Sequence, residues 1–449
     1  MKSVANTSYA EVAVPLHVFQ TFTYRLSPEQ SDQAEVGARL VVPLGRNLVT
    51  GYVVSLHDEL PAELGEVDVK DAHTLVDSEP VCNPEILQLA RWVSDYYACP
   101  LGEVIKAALP PGMTPKSRSK AKFVKPKLRR FVRLLPTSAE HKLTETQQRV
   151  LDTLAANGPT SLQSLIKSAN VSASTITSLE KKALLEIYDD AIRRDPLAET
   201  FGVTDTEHTL TGAQSSVLAQ IEQQMNSGDY SAFLLHGVTG SGKTEIYMRA
   251  MNKALSLSRS SMMLVPEIAL TPVFSRRLRA RFGDQVAIFH SSLQKGERFD
   301  EWTRVRNGDA RVVIGTRSAV FAPVKNLGLI VVDEEHESSY RQQESPYYNA
   351  RDVAIVRAQK ESATVVLGSA TPSLESFHNA KKGKYHFVSL PQRIGARPMA
   401  QAKIVDMRNV FARHGKPRVF SDELLEGIRE TRERGEQSII LLNRRGYSS

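Results

Sequence analysis

The sequence predicts an α/β protein of several domains, and three observations carry that expectation. From residue 232 onward, short apolar runs recur with helical or loop stretches between them, the pattern of a mostly parallel sheet covered by helices. The first hundred residues instead alternate brief β-rich runs with turns. With 449 residues, 41% hydrophobic and 24% charged, the chain is long enough for about three cores.

Composition narrows the class further. No run approaches the roughly 20 apolar residues of a membrane span, and the N-terminus lacks the basic-then-apolar pattern of a signal peptide. No membrane partner and a cytoplasmic location are therefore expected. The two cysteines, Cys82 and Cys99, form no Cys-x-x-Cys pair, so neither a disulfide framework nor a zinc site is written here. A formal charge of +7 permits a polyanionic partner without establishing one.

Taken in order, β runs at 9–16, 39–43 and 50–56 precede two helical patterns, the first opened by Asn83-Pro84 with Ile86, Leu87, Leu89, Ala90, Trp92 and Val93 on its apolar side. This reads as a small β-rich domain, 1–112, closed by a helical hairpin. Residues 115–133 hold nine Lys or Arg (116, 118, 120, 122, 125, 127, 129, 130 and 133) and no acidic residue, which suits either a solvated linker or a DNA contact. Three short helices follow, after Thr144, after Thr160 and from Ser172, and then a β-like run at 184–188. That order is a winged helix, within 113–200, a module that docks either DNA or protein. A polar connector at 195–207 leads to the β runs at 232–235, 262–265, 286–289, 312–314, 329–332 and 365–367 of a lobe spanning 201–395.

Chemistry concentrates at the ends of those runs, where open α/β sheets bind ligands. After the first stands Gly237-Val238-Thr239-Gly240-Ser241-Gly242-Lys243-Thr244, a complete phosphate-binding loop in strand-loop-helix context. Lys243 would reach the β- and γ-phosphates of ATP, and the Thr244 hydroxyl would bind Mg²⁺. The run at 329–332 leads into Asp333-Glu334-Glu335-His336. Asp333 would hold Mg²⁺ through its water shell, and Glu334 would orient or deprotonate the attacking water. Together they predict an ATPase, with Lys243, Asp333 and Glu334 as its catalytic groups.

Further motifs resemble those of superfamily 2 helicases. Ser369-Ala370-Thr371 looks like the coupling motif of that superfamily, while Pro266 and Thr271 in one strand-end loop and Thr316 and Arg317 in another look like its contacts to the DNA backbone. In wording the chain resembles the PriA (primosomal protein N-prime) family of replication-restart helicases from about Tyr9 onward. The run Gly237 to Tyr247, the acidic motif continuing to Gln343, and Leu442-Asn443-Arg-Arg-Gly446-Tyr447 carry that resemblance. It implies a RecA-like ATP-binding lobe and a 3′-to-5′ DNA helicase that recognises stalled or abandoned forks and initiates primosome assembly.

By resemblance the first domain captures a 3′ DNA end, with a pocket at Phe22, Gly45 and Lys70, although Thr23 stands where an acidic residue is often found. Gln214 would recognise adenine; a lone helical Gln is otherwise simply solvated. Tyr340, Tyr347 and Tyr348 resemble the family's aromatic-rich loop, on which single-stranded bases stack, and Pro346 with its polar neighbours favours exposure over burial in a core. Forked and single-stranded DNA, primosome loader proteins and single-strand-binding protein are the implied partners of a nucleoid-associated monomer.

The last stretch, 396–449, reads as the beginning of a second motor lobe: a helix at 422–433 and a buried strand at 438–442, too little to bury itself. The expectation is a truncated chain whose family zinc ligands (Zn²⁺) are absent, and which binds DNA but turns over ATP slowly. A rival reading is a fork-binding scaffold whose nucleotide site only switches conformation. An RNA helicase is disfavoured by Asp-Glu-Glu-His in place of Asp-Glu-Ala-Asp.

Overall fold

The computed structural model describes residues 8–62, 65, 68–77, 79–113, 127–136, 142–192, 194–196, 208–396, 401–414 and 418–442. They form two compact units that meet between Ile394 and Gly395. No described helix is long and apolar enough to cross a membrane.

The N-terminal region carries β1 (Tyr9–Ala13), β2 (Phe22–Arg25), α1 (Pro28–Gln33), β3 (Arg39–Leu44), β4 (Asn47–His57) and β5 (Thr74–Leu75), followed by α2 (Pro84–Tyr96) and α3 (Leu101–Ala108). The strands pair antiparallel in the order β2-β1-β4-β3-β5. One sheet face buries Val12, Tyr24, Leu40 and Val53. The other side lies under the α2–α3 hairpin, whose first helix starts as its sequence requires: Asn83 accepts from the Ile86 amide, and Pro84 occupies the first turn.

Next come β6 (Lys127–Leu134), α4 (Glu145–Asn157), β7 (Thr160–Ser161), α5 (Leu162–Ser168), α6 (Ala173–Lys181) and β8 (Leu185–Ile192), with strand order β7-β6-β8. The three expected helices and the strand expected at 184–188 are present, together with two strands that were not expected, β6 and β7. The end of the basic run is not a linker: Lys127 to Arg133 lie in β6, where Arg129, Arg130 and Arg133 face Asp190, Asp189 and Glu186 in register. Arg133 Nε donates to Glu186 at 2.7 Å. The positive charge of this stretch is offset once a strand carrying three acids pairs alongside. The rest of that run, 115–126, lies outside the described residues.

The lobe proper holds α7 (Gly212–Ser227), β9 (Ser231–Gly237), α8 (Lys243–Ser256), β10 (Ser260–Leu264), α9 (Pro272–Phe282), β11 (Val286–Phe289), α10 (Lys295–Asn307), β12 (Val312–Gly315), β13 (Leu327–Asp333), α11 (Ala350–Lys360), β14 (Thr364–Ser369), α12 (Leu374–Lys381) and β15 (His386–Leu390). All seven strands run parallel in the order β11-β12-β10-β13-β14-β9-β15, the mostly parallel sheet that the apolar runs predict. Central strands are buried on both faces, which is why they read as unbroken apolar runs. The edge strand β15 was not expected; His386, Phe387 and Ser389 are exposed, so it has no such run to show.

The second unit contains α13 (Met407–His414) and α14 (Asp422–Glu433). The helix expected at 422–433 is present, but the buried strand expected at 438–442 is not. Ile439 and Leu441 are 99% and 92% exposed, and no described strand pairs with them. An apolar run needs a partner edge as well as composition before it becomes a strand.

Candidate functional site

Sheet order assembles the site. β14 lies between β9 and β13, so the glycine-rich loop after β9 and the acidic residues after β13 flank a single strand that ends in Ser369. Gly237 closes β9; Val238, Thr239 and Gly240 cross to a buried Ser241, and α8 begins at Lys243 with Thr244 second. Gly240 and Gly242 have φ of 81° and 85°, the left-handed region that turns their amides inward at little steric cost. The Lys243 ammonium donates to the Gly237 carbonyl at 2.9 Å and lies 3.5 Å from Glu334 Oε1.

Two neighbours brace this loop. Gln214 is buried, its amide nitrogen donating to the Ser241 carbonyl at 2.8 Å and its oxygen accepting from the Thr211 amide at 2.8 Å. Both ends of the side chain are thus spent on α7's capping box and the loop, a role that sequence reading missed. On the other side, the Val238 amide donates to Leu390 of β15 and the Ile394 amide donates to Gly240, at 3.2 and 3.0 Å.

At the end of β13, burial first and then Glu334 push the Asp333 carboxyl up to about 6. Glu334 has φ of 46°, a conformation that non-glycine residues hold only when their surroundings impose it. Tyr247 of α8 lies behind the pair, its hydroxyl acidity suppressed by burial first and then by Asp333. A methyl group at Gly368 would fall 1.7 Å from that hydroxyl, so the position needs glycine. His336 joins the acidic motif to the next one: Nδ1 lies 2.8 Å from Ser369 Oγ, and Nε2 3.3 Å from Thr371 Oγ1. His236 donates to the Ala370 carbonyl at 3.2 Å. Glu335, completely withdrawn from solvent, accepts from Arg351, from the Ser373 amide and hydroxyl, and from Ser376, fixing the start of α12.

The expectation of an exposed aromatic loop needs correction. Tyr340 and Tyr348 are each 1% exposed, whereas Tyr347 is 55% exposed. The Tyr340 hydroxyl reaches the carbonyls of Asp333 and Leu264 at 2.6 and 3.0 Å, and Tyr348 packs edge-on against Phe321. Only Tyr347 offers a face for stacking; the polar neighbours that suggested exposure line the loop's outer side while its ends are anchored inward. Arg317, read as a backbone contact, donates to the carbonyls of Ser339 and Arg341 at 3.1 Å each. Thr271 caps α9 and accepts from the Phe274 amide, Pro266 is buried after β10, and Thr316 is half-buried after β12.

The N-terminal candidates sit apart from these. Phe22 is half-buried on β2 against the sheet core, Gly45 makes the β3–β4 turn at φ 61°, and Lys70 is exposed, its carbonyl accepting from Arg25. The helical hairpin of the same region touches the tyrosine loop. The Asn349 amide donates to the Tyr97 hydroxyl at 3.2 Å, and the Ser345 hydroxyl donates to Glu103.

Comparison with known proteins bears on both regions. The family model of a 3′ DNA-binding domain named for PriA matches residues 11–110, and that of the DEAD/DEAH box helicases matches 211–380. The replication restart protein PriA of Bacillus subtilis is 34% identical over 508 residues, covering 98% of this chain. That of Chlamydia pneumoniae is 38% identical over 453 residues, again covering 98%. Along nearly its whole length this chain is similar to proteins of the PriA family. It spans 63% and 58% of the lengths of those two PriA proteins. Among solved structures, RecG bound to a three-way DNA junction aligns with a TM-score of 0.38 and 24% identity over 51% of this chain and 29% of that one, a likeness too slight to add to the PriA assignment.

Proposed function

We propose that this chain acts in an ATP-dependent 3′-to-5′ DNA helicase that recognises stalled or abandoned replication forks and initiates primosome assembly. The observation that carries the motor reading is Lys243 held 3.5 Å from Glu334 across the end of β14. Ser241 Oγ is buried without a hydrogen-bond partner, and such an atom fits a bound phosphate. Lys243 binds the phosphate chain, the curled amides between Gly237 and Thr244 cradle it, and Glu334 orients the attacking water. Thr244 and Asp333 would hold Mg²⁺, which would supply charge neutralisation on the phosphate oxygens. Ser369, Ala370 and Thr371 relay the state of the acidic motif through His336. Gln214 positions the loop, and recognises adenine only by giving up one of its two present bonds.

DNA contacts are proposed at Tyr347, Pro266, Thr271, Thr316 and Arg317, with a 3′-end pocket around Phe22, Gly45 and Lys70. Tyr340 and Tyr348 support the loop from within. The proposed divisions are a 3′-end domain at 1–112, a basic segment and winged helix at 113–200, the ATP-binding lobe at 201–395 and lobe-two sequence at 396–449. Zinc does not fit the described residues, which hold no cluster of three ligating side chains and only buried thiols. Loader proteins, single-strand-binding protein, a monomeric state and the nucleoid are proposed on the similarity to the PriA family.

The test is ATP binding and hydrolysis by this chain, and by the chain joined to a second motor lobe of the family, with and without forked DNA bearing a free 3′ end. DNA-stimulated hydrolysis that Lys243→Ala and Glu334→Gln abolish is expected. Fork binding by both chains with no ATP hydrolysis by either would instead favour the scaffold.

A further inference from the structure

The loop between the acidic motif and α11 is fixed at both ends and borders a cleft on one side of its middle. Tyr340 bonds to the end of β13, and Asn349 caps α11, its side chain accepting from the Arg351 amide. Between them, Gln342, Glu344 and Ser345 border a cleft of about 660 Å³ instead of packed side chains. Across that cleft stands α3, with Glu103 on the same lining. Beside the buried Pro346, hydrogen bonds to the N-terminal hairpin hold the loop on this side. Ser345 donates to Glu103, and the Asn349 amide donates to Tyr97 at 3.2 Å. His17 lies 3.7 Å from the same carboxylate.

From Asn349 the contacts continue inward. Arg351, two residues on, reaches Glu335 at 3.2 Å, and Glu335 directly follows Glu334. Arg317 holds the start of the loop by two carbonyls, and the Gln342 amide donates to the Tyr348 carbonyl. Through Asn349, Arg351 and Glu335, the contacts of Tyr97 and Glu103 connect the α2–α3 hairpin to the residues beside the water-orienting carboxylate.

We infer that Tyr97 and Glu103 are positioning residues, by which the 3′-end-binding region sets the loop at 341–349 and so couples DNA-end occupancy to the nucleotide site. Neither touches nucleotide or phosphate; each acts through the loop. This rests on the helicase reading, since without two ligands there is nothing to couple.

The inference is tested by linkage, because two coupled sites change each other's affinity by the same factor. The affinity of the full chain for a non-hydrolysable ATP analogue is measured with and without a saturating single-stranded oligonucleotide that has a free 3′ hydroxyl. The wild-type ratio is expected to be at least about fivefold. Tyr97→Phe combined with Glu103→Ala brings that ratio to within twofold of one, while the affinity for each ligand alone and the melting temperature stay unchanged. Glu103→Gln, which keeps an acceptor for Ser345, restores the ratio. Ser345→Ala reproduces Glu103→Ala and adds nothing to it. An unchanged ratio in the double variant overturns the inference, as does a wild-type ratio of one with both ligands bound. Failure of the wild-type chain to bind either ligand overturns the helicase reading instead.

Discussion

The N-terminal region and the winged helix are both small domains set before the same lobe, yet they join it by different physics. One apolar core runs without a break from Ala13 and Tyr52 through Ile86 and Ile105 into Val320, Phe321 and Tyr348 of the lobe. The winged helix keeps to itself: Val132, Val150, Leu165, Ile176 and Leu185 form a separate core, and the segment after β8 is tied to the lobe by charge, Arg194 to Asp300 at 2.8 Å and Asp195 to Arg279 at 3.2 Å. Apolar burial is worth about 25 cal/mol per Å² and makes folding of the two partners cooperative. A few ion pairs fix an attachment point and leave folding independent. The winged helix is therefore a module, and the N-terminal region is part of the lobe's own fold.

The largest effects should come from cutting into the two cores. Ile105→Ala and Leu165→Ala should each cost about 2–5 kcal/mol. In calorimetry the first should lower the transition of the N-terminal region and the lobe together, and the second only that of the winged helix. A lobe transition unmoved by Ile105→Ala would break the comparison. Gly368→Ala, which drives a methyl group into Tyr247, should cost about 1–3 kcal/mol, with Tyr247→Phe recovering part of it. Seen by hydrogen exchange, that loss should spread into α2 and α3 but spare α4 to α6.

A chemical probe sharpens the same point. Burial pushes the Cys82 thiol up to about 12 and the Cys99 thiol up to about 11. A raised pKa leaves both protonated at pH 8, so alkylation there should be slow and should follow opening of the shared core. Ile105→Ala should speed it, and Leu165→Ala should leave it unchanged. The smallest effect belongs to Arg306, which bridges to the exposed Glu79 at 3.5 Å and lies over Trp302: Arg306→Ala should cost under about 1 kcal/mol in a thermal melt, less still in high salt.

Legibility in the sequence followed the same division between covered and open structure. Strands buried on both faces announced themselves as apolar runs, and the phosphate loop did so because its glycines and lysine are fixed in spacing by what they must surround. β15 stayed hidden because an edge strand half open to solvent has no such run. The basic run misled because its compensating acids lie about fifty residues away, on β8. Tyr340 and Tyr348 misled because exposure was inferred from neighbours, while a ring two or three residues from a buried anchor is free to turn inward. The links made by Gln214, His336 and Glu335 are contacts between distant segments, and no local pattern encodes them.

The amide of Ile394 is bonded to Gly240, inside the phosphate loop. Ile394 is also the last residue of the first compact unit, and Gly395, at φ 74°, is the first of the next. The loop that would grip phosphate and the peptide at which the chain leaves the lobe are therefore one mechanical joint. A bond of 3.0 Å stretches by only a few tenths of an ångström before it is lost. Any larger shift of Gly240 must either release Ile394 or carry that peptide along with it.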